Sequence, residues 1–197
     1  MHEGQTLRVE RLHDAPAHET AWTVAAYETP VSDRTWVLTA TGATPAPVLE
    51  DLLDHLAYAD GWDTTAGAPV DEKTITAATQ PLTEAGWKHT VNGRWIRWTS
   101  PAADAGIQFD AFAAQHPTHT LTTWTVWASP DPDHPTWTLT ASPRTPSSLL
   151  ANLSENLAHG TGTRQIQVTG RDRRTSLATT PPAVPAVMAS PAASRTR

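Results

Sequence analysis

The sequence predicts an α+β protein made of two tandem copies of one unit, an antiparallel sheet followed by an amphipathic helix, related by a pseudo-two-fold. Three observations predict it. A run of residues recurs about a hundred positions later, the repeated segments alternate apolar and polar residues as strands do, and each then passes into an apolar stripe of helical period.

The repeat comes first. Residues 35–57 read TWVLTATGATPAPVLEDLLDHLA and residues 136–158 read TWTLTASPRTPSSLLANLSENLA, in register at an offset of 101. Identities include Trp36 with Trp137, Leu38 with Leu139, Thr39 with Thr140, Thr44 with Thr145, Leu52 with Leu153 and Leu56 with Leu157. Upstream, Trp22-Thr23-Val24 matches Trp124-Thr125-Val126 at an offset of 102. Chance does not produce such a run; duplication does.

Each copy reads as hairpin and helix. Trp36, Leu38 and Ala40 alternate with Thr35, Val37 and Thr39, and Trp137, Leu139 and Ala141 with three threonines. Threonine suits the outer face of a half-buried strand. Trp22 and Trp124 open the preceding strands. Thr44 and Thr145 are placed to cap the helices, with Pro45 and Pro146 at the first helical position. Val48, Leu49, Leu52, Leu53 and Leu56 form one stripe, and Leu149, Leu150, Leu153 and Leu157 the other. The expected core is therefore Trp22, Trp36, Leu38, Leu52, Leu56, Trp124, Trp137, Leu139, Leu153 and Leu157.

The expected organisation is a first, N-terminally short repeat over 1–63, a linker over 64–73, a fuller second repeat over 74–163 and a disordered basic tail over 164–197. The first copy has one strand, residues 6–12, before Trp22. The second is preceded by a short helix or turn at 75–86, a hairpin turning at Asn92-Gly93, and a strand at Ile107–Asp110, so about four strands precede its helix. The two copies are expected to pair with their sheets around one core.

Composition narrows the function. The chain has 197 residues, nine tryptophans, 17 prolines and no cysteine. Disulfides, thiolate nucleophiles and cysteine-held zinc are excluded. No apolar run of membrane-spanning length occurs, nor a basic start followed by an apolar stretch, so a cytoplasmic protein without membrane contact is expected. The net charge of −6 is unevenly spread: residues 164–197 hold six arginines against Asp172, and everything before them is acidic. An acidic body is a poor generic phosphate binder.

The run Leu82–Trp87 (LTEAGW), the later Thr99-Ser100-Pro101, and the pattern Trp124…Pro135-Thr136-Trp137…Thr145-Pro146…Leu149-Leu150 resemble the actinobacterial domain-of-unknown-function family 317; the first copy matches the second half of that pattern. The resemblance implies no activity and no catalytic residues. The order of elements is also similar in plan to the Whirly and Pur-type single-stranded nucleic-acid-binding folds.

No nucleophile elbow, phosphate loop or metalloprotease motif occurs. His116 and His119 have a metal-like spacing but lack a third ligand. His55 aligns with Asn156, and Glu50, Asp51 and Asp54 align with Ala151, Asn152 and Glu155, so the repeats share no acid–base pair. No enzyme and no cofactor are expected. The remaining candidates are Trp95, Arg97 and Trp127 on a sheet face, with Arg171, Arg173 and Arg174 in the tail, a set suited to base stacking and phosphate contact. A second layer, the other copy or another chain, is expected to cover that face. The expectation is a non-enzymatic binding or assembly module, with single-stranded nucleic acid as the most concrete ligand. The alternative is a protein–protein adaptor or scaffold. An open sheet edge in the short copy also makes a homodimer an expectation.

Overall fold

The structure is a computed structural model that describes residues 6–58, 70–116, 121–129 and 134–160. The chain divides into two units, Met1–Gln167 and Val168–Arg197, and every described residue lies in the first. The expected tail falls outside the described residues, as does most of the expected linker.

Alternating residues make the strands. In chain order they are β1 (Leu7–Arg11), β2 (Thr20–Tyr27), β3 (Arg34–Thr41), β4 (Lys88–Asn92), β5 (Trp95–Thr99), β6 (Ala105–Asp110), β7 (Trp124–Ala128) and β8 (Trp137–Ala141). The helices are α1 (Ala46–Tyr58), α2 (Glu72–Glu84), the short α3 (Ala111–Ala114) and α4 (Ser147–His159). All eight strands form one antiparallel sheet in the order β1-β2-β3-β8-β7-β6-β5-β4.

The two copies therefore meet edge to edge. They share one core, but it lies beneath a single sheet rather than between two stacked ones. The joint pairs β3 with β8 so that Thr39 faces Thr140, its own counterpart in the repeat, while Leu38 faces Ala141 and Ala40 faces Leu139. The Thr39 and Thr140 hydroxyls are 2.8 Å apart. On one side the Val37 N–H donates to Ser142 Oγ, and on the other the Thr138 N–H donates to Thr41 Oγ1, both at 3.0 Å. Val37 corresponds to Thr138 and Thr41 to Ser142, so these bonds are the same bond made twice about a pseudo-two-fold axis between the threonines.

This geometry corrects the expected helix caps. Thr44 and Thr145 are buried, and their hydroxyls lie 3.5 Å from Thr41 Oγ1 and 3.4 Å from Ser142 Oγ, back toward the joint. Residue 146 takes the cap position of α4, without a side-chain cap bond, and α1 starts at Ala46. Asp71, in the expected linker, caps α2: its Oδ1 accepts from Thr74 N at 2.7 Å and Thr74 Oγ1 at 2.6 Å. These bonds, the side-chain one first, hold the Asp71 carboxyl below the ordinary aspartate range.

The helices cover one face of the sheet. Val48, Leu49, Leu52 and Leu56 of α1, Ala78 and Leu82 of α2, and Leu149, Leu150, Leu153 and Leu157 of α4 join one core with Trp36, Leu38, Trp98, Ile107, Phe109, Trp124, Val126, Trp137 and Leu139. Small residues bring α2 against α4, where Ser154 Oγ donates to the Ala78 carbonyl at 2.6 Å. Of the ten expected core residues, nine are buried. Trp22 is the exception. It stands one strand in from the free edge, half-buried, and its cross-strand partner Arg11, at 4.9 Å, lies over its ring.

The second half has five strands rather than about four. Register aligns β6 with β1, since Ile107 pairs with Val126 as Val9 pairs with Val24. The common unit is thus three strands and a helix. The α2–β4–β5 segment is extra, and its hairpin turns at Gly93, whose φ of +58° suits the first central position of a two-residue loop.

Removing either hydroxyl acceptor at the joint should leave a backbone N–H unpaired. Thr41→Val and Ser142→Ala are each expected to cost about 1–3 kcal/mol in chemical denaturation, and by similar amounts. A neutral result for both would show that the joint does not depend on these bonds.

Candidate functional site

Strand alternation sends the core residues to the side of α1, α2 and α4 and leaves the other face without a long helix among the described residues, the one-turn α3 standing at its end. Register then builds one row straight across all eight strands on that open face: Glu10, Thr23, Thr39, Thr140, Thr125, Gln108, Arg97 and Thr90. Each of the eight is exposed or half-buried. A bare face of this kind is an ordinary property of antiparallel sheets. The expected covering layer is not the other copy, which lies alongside in the same sheet.

Charge is divided between the two sides. The helices and the cap of α2 carry Glu50, Asp51, Asp54, Asp71, Glu72, Glu84 and Glu155 against Lys73. On the open side, Arg8 is paired with Glu10 at 2.6 Å and Arg94 with Asp110 at 3.4 Å. Lys88 and Arg97 have no carboxylate partner among the described residues. The helix side is therefore acidic, whereas on the open side Glu10 and Asp110 are paired with arginines and Asp33 stands beside Arg34 at the joint.

The structure brings Trp95, Arg97 and Trp127 to this face, but not as three free platforms. Trp127 is 6% exposed. Its ring lies flat on Gly106, its cross-strand neighbour, where a Cβ would come within 2.0 Å of the ring. The Arg97 guanidinium covers it at 5.4 Å. The expectation that Trp127 offers a stacking surface is corrected: its ring is already used. Trp95 is half-buried, with the Arg94 guanidinium 4.3 Å over its ring. Phe112 and His116 continue the cluster with ring centres 4.4 Å apart, and Phe112 is largely exposed.

Arg97 is held in place. Its Nε and Nη2 donate to Gln108 Oε1 at 3.2 and 2.6 Å. Arg97, Gln108, Thr125, Trp127, Pro135 and Thr138 line a hollow of about 190 Å3, and a wider one of about 600 Å3 lies over the β3–β8 joint around Thr39 and Thr140. Arg171, Arg173 and Arg174 lie outside the described residues, as does His119. No three His, Cys, Asp or Glu side chains gather as a metal site among the described residues. Asp110, a buried carboxylate, is committed to structure: it accepts from Phe112 N and Ala113 N at 3.0 Å and faces Arg94.

Sequence reasoning missed Gln108, Thr125 and Thr138, which register alone assembles. Gly106 was the available signal, since glycine inside a strand marks the close approach of another group. Gly106→Ala is expected to cost at least about 1–3 kcal/mol through overpacking, and the loss should largely disappear in a Trp127→Ala background. Equal costs in both backgrounds, read by a double-mutant cycle, would refute the contact.

No curated protein and no solved structure matches the chain. A family model does, over residues 4–62 and 99–163. These segments hold β1–β2–β3–α1 and β6–α3–β7–β8–α4, so the match falls twice on the three-strand-and-helix unit and leaves α2, β4, β5 except its last residue, and the Leu82–Trp87 run between the two copies. Matched over more than half its length in two segments that the fold joins as one sheet, the chain belongs to the SPDY family, a domain of unknown function (DUF317).

Proposed function

We propose that this chain is a non-catalytic binding module whose ligand, single-stranded nucleic acid, lies across the open face of the sheet. One observation carries the reading: the accessible polar row leads to Arg97, a cation without a carboxylate partner among the described residues, on the side opposite the acidic helices. Threonine and glutamine side chains can donate to phosphate oxygens, Arg97 adds charge, and Trp95 with Phe112 supplies aromatic surface beside it. Strand spacing of about 4.8 Å puts Arg97 about 14 Å from the joint, three strands away, so an extended chain of a few nucleotides spans both hollows. In this reading Arg171, Arg173 and Arg174 add generic attraction.

Fluorescence polarisation of labelled single- and double-stranded DNA, at low and moderate salt, tests it. The full chain is expected to prefer the single strand. Arg97→Ala should weaken binding and lower the salt slope by about one, whereas a triple Arg171/Arg173/Arg174→Ala variant should keep the strand preference. Absence of binding at low salt would end the nucleic-acid reading and leave the adaptor, with a protein partner on the same face.

No helix among the described residues is long and apolar enough to cross a membrane. A cytoplasmic location and a homodimer belong to the same proposal. β1 and β4 end the sheet without a further strand among the described residues, and such edges accept a second chain. Light scattering should show a mass that rises with concentration. A constant monomer mass would remove the dimer.

A further inference from the structure

The hollow beside Arg97 has a chemistry more specific than that of the face around it. Its polar lining consists of Arg97, Gln108, Thr125 and Thr138, its apolar walls of Trp127 and Pro135, and no carboxylate lines it among the described residues. Gln108 spends its carbonyl oxygen on the guanidinium, accepting from both Nε and Nη2. Its amide nitrogen, with two N–H groups, is then left to donate. Arg97 retains Nη1 and the second N–H of Nη2, and the two threonine hydroxyls can donate as well. A cation and neutral donors, with no competing acid among the described residues of the lining, suit an oxyanion, and neither a metal ion nor a basic group.

The arginine is also oriented in advance. A guanidinium on an exposed strand ordinarily samples many rotamers, and ordering it opposes binding. Here a cross-strand amide holds one edge and the Trp127 ring lies beneath it at 5.4 Å. Trp127 is itself fixed by the absence of a Cβ at Gly106. Arg94, next to it, and Arg8, at the far edge of the sheet, differ, because each faces a carboxylate. The first half of the sheet has no such place: register puts Ala25 where the second half has Trp127, Glu10 where it has Gln108 and Arg8 where it has Gly106.

We infer that this hollow is an oxyanion subsite that takes one phosphate group, with Arg97 and Gln108 as its principal donors. Placing that phosphate in the backbone of a single strand rests on the function proposed above; the subsite itself does not.

The test is a nuclear magnetic resonance titration of the full chain with inorganic phosphate at fixed ionic strength, following the Arg97 Nε–H and Gln108 side-chain amide signals. A saturable shift that chloride does not cause is the expected result, weakened about tenfold or more in Arg97→Ala, as loss of a charge-assisted contact implies. Gln108→Leu, which keeps the charge but frees the guanidinium, should give an intermediate loss. No saturable response of either signal overturns the subsite, whatever else the face binds. A second titration, with a short single-stranded oligonucleotide, separates the two ideas. If phosphate saturates the site and the oligonucleotide does not bind, the subsite stands for a free phosphate or phosphomonoester and the polymer reading falls. If the oligonucleotide binds while phosphate gives no saturable response, the face reading stands without this subsite.

Discussion

Everything in this fold hangs on the pairing of β3 with β8. Each strand is the inner edge of a three-strand unit, and by itself would present a row of unpaired N–H and C=O groups. Their union satisfies both edges at once, and the side chains at the joint answer each other because they descend from the same positions. The hydroxyls of Thr41 and Ser142 take the N–H groups that the ladder leaves over, and the buried Thr44 and Thr145 sit behind them. The order of the sheet, the shared core and the bare opposite face all follow from that contact.

The core beneath the sheet is rich in tryptophan, and it carries a polar cost. Trp36, Trp124 and Trp137 bury their indole N–H groups without an acceptor among the described residues. An unpaired buried donor costs about 1–3 kcal/mol, and the large apolar area of each ring offsets it. The arrangement keeps the threonine row on one side of the sheet and most of the aromatic mass on the other, with Trp95 and Trp127 as exceptions on the open face.

Much of this was legible in the amino-acid order. Period-two runs around Trp36, Leu38 and Trp137, Leu139 specify which side of each strand is buried, and the leucine stripes specify which side of each helix meets it. What could not be read was how the copies join, because Thr39 and Thr140 look like ordinary outward threonines until the strands are paired. The same holds at the site. Arg97, Gln108 and Thr125 are distant in the chain and become one row only through register. Trp127 looked free because nothing local announces that Gly106, some twenty positions earlier, leaves room for its ring. Thr44 and Thr145 carried the usual cap signature but serve a tertiary contact instead, a case of long-range structure overriding a local preference.

Joining the two halves in one polypeptide has a consequence for how such a surface can change. When a contact of this kind forms between identical subunits, every substitution appears twice, and a site built on one side is mirrored on the other. Covalent linkage removes that constraint and also makes the contact independent of concentration. Each half can then specialise: one has kept Ala25 opposite an ion pair, while the other holds Trp127 on Gly106 with an arginine above it. A surface that reads differently from its two ends can distinguish the direction of whatever crosses it, which a true two-fold could never do.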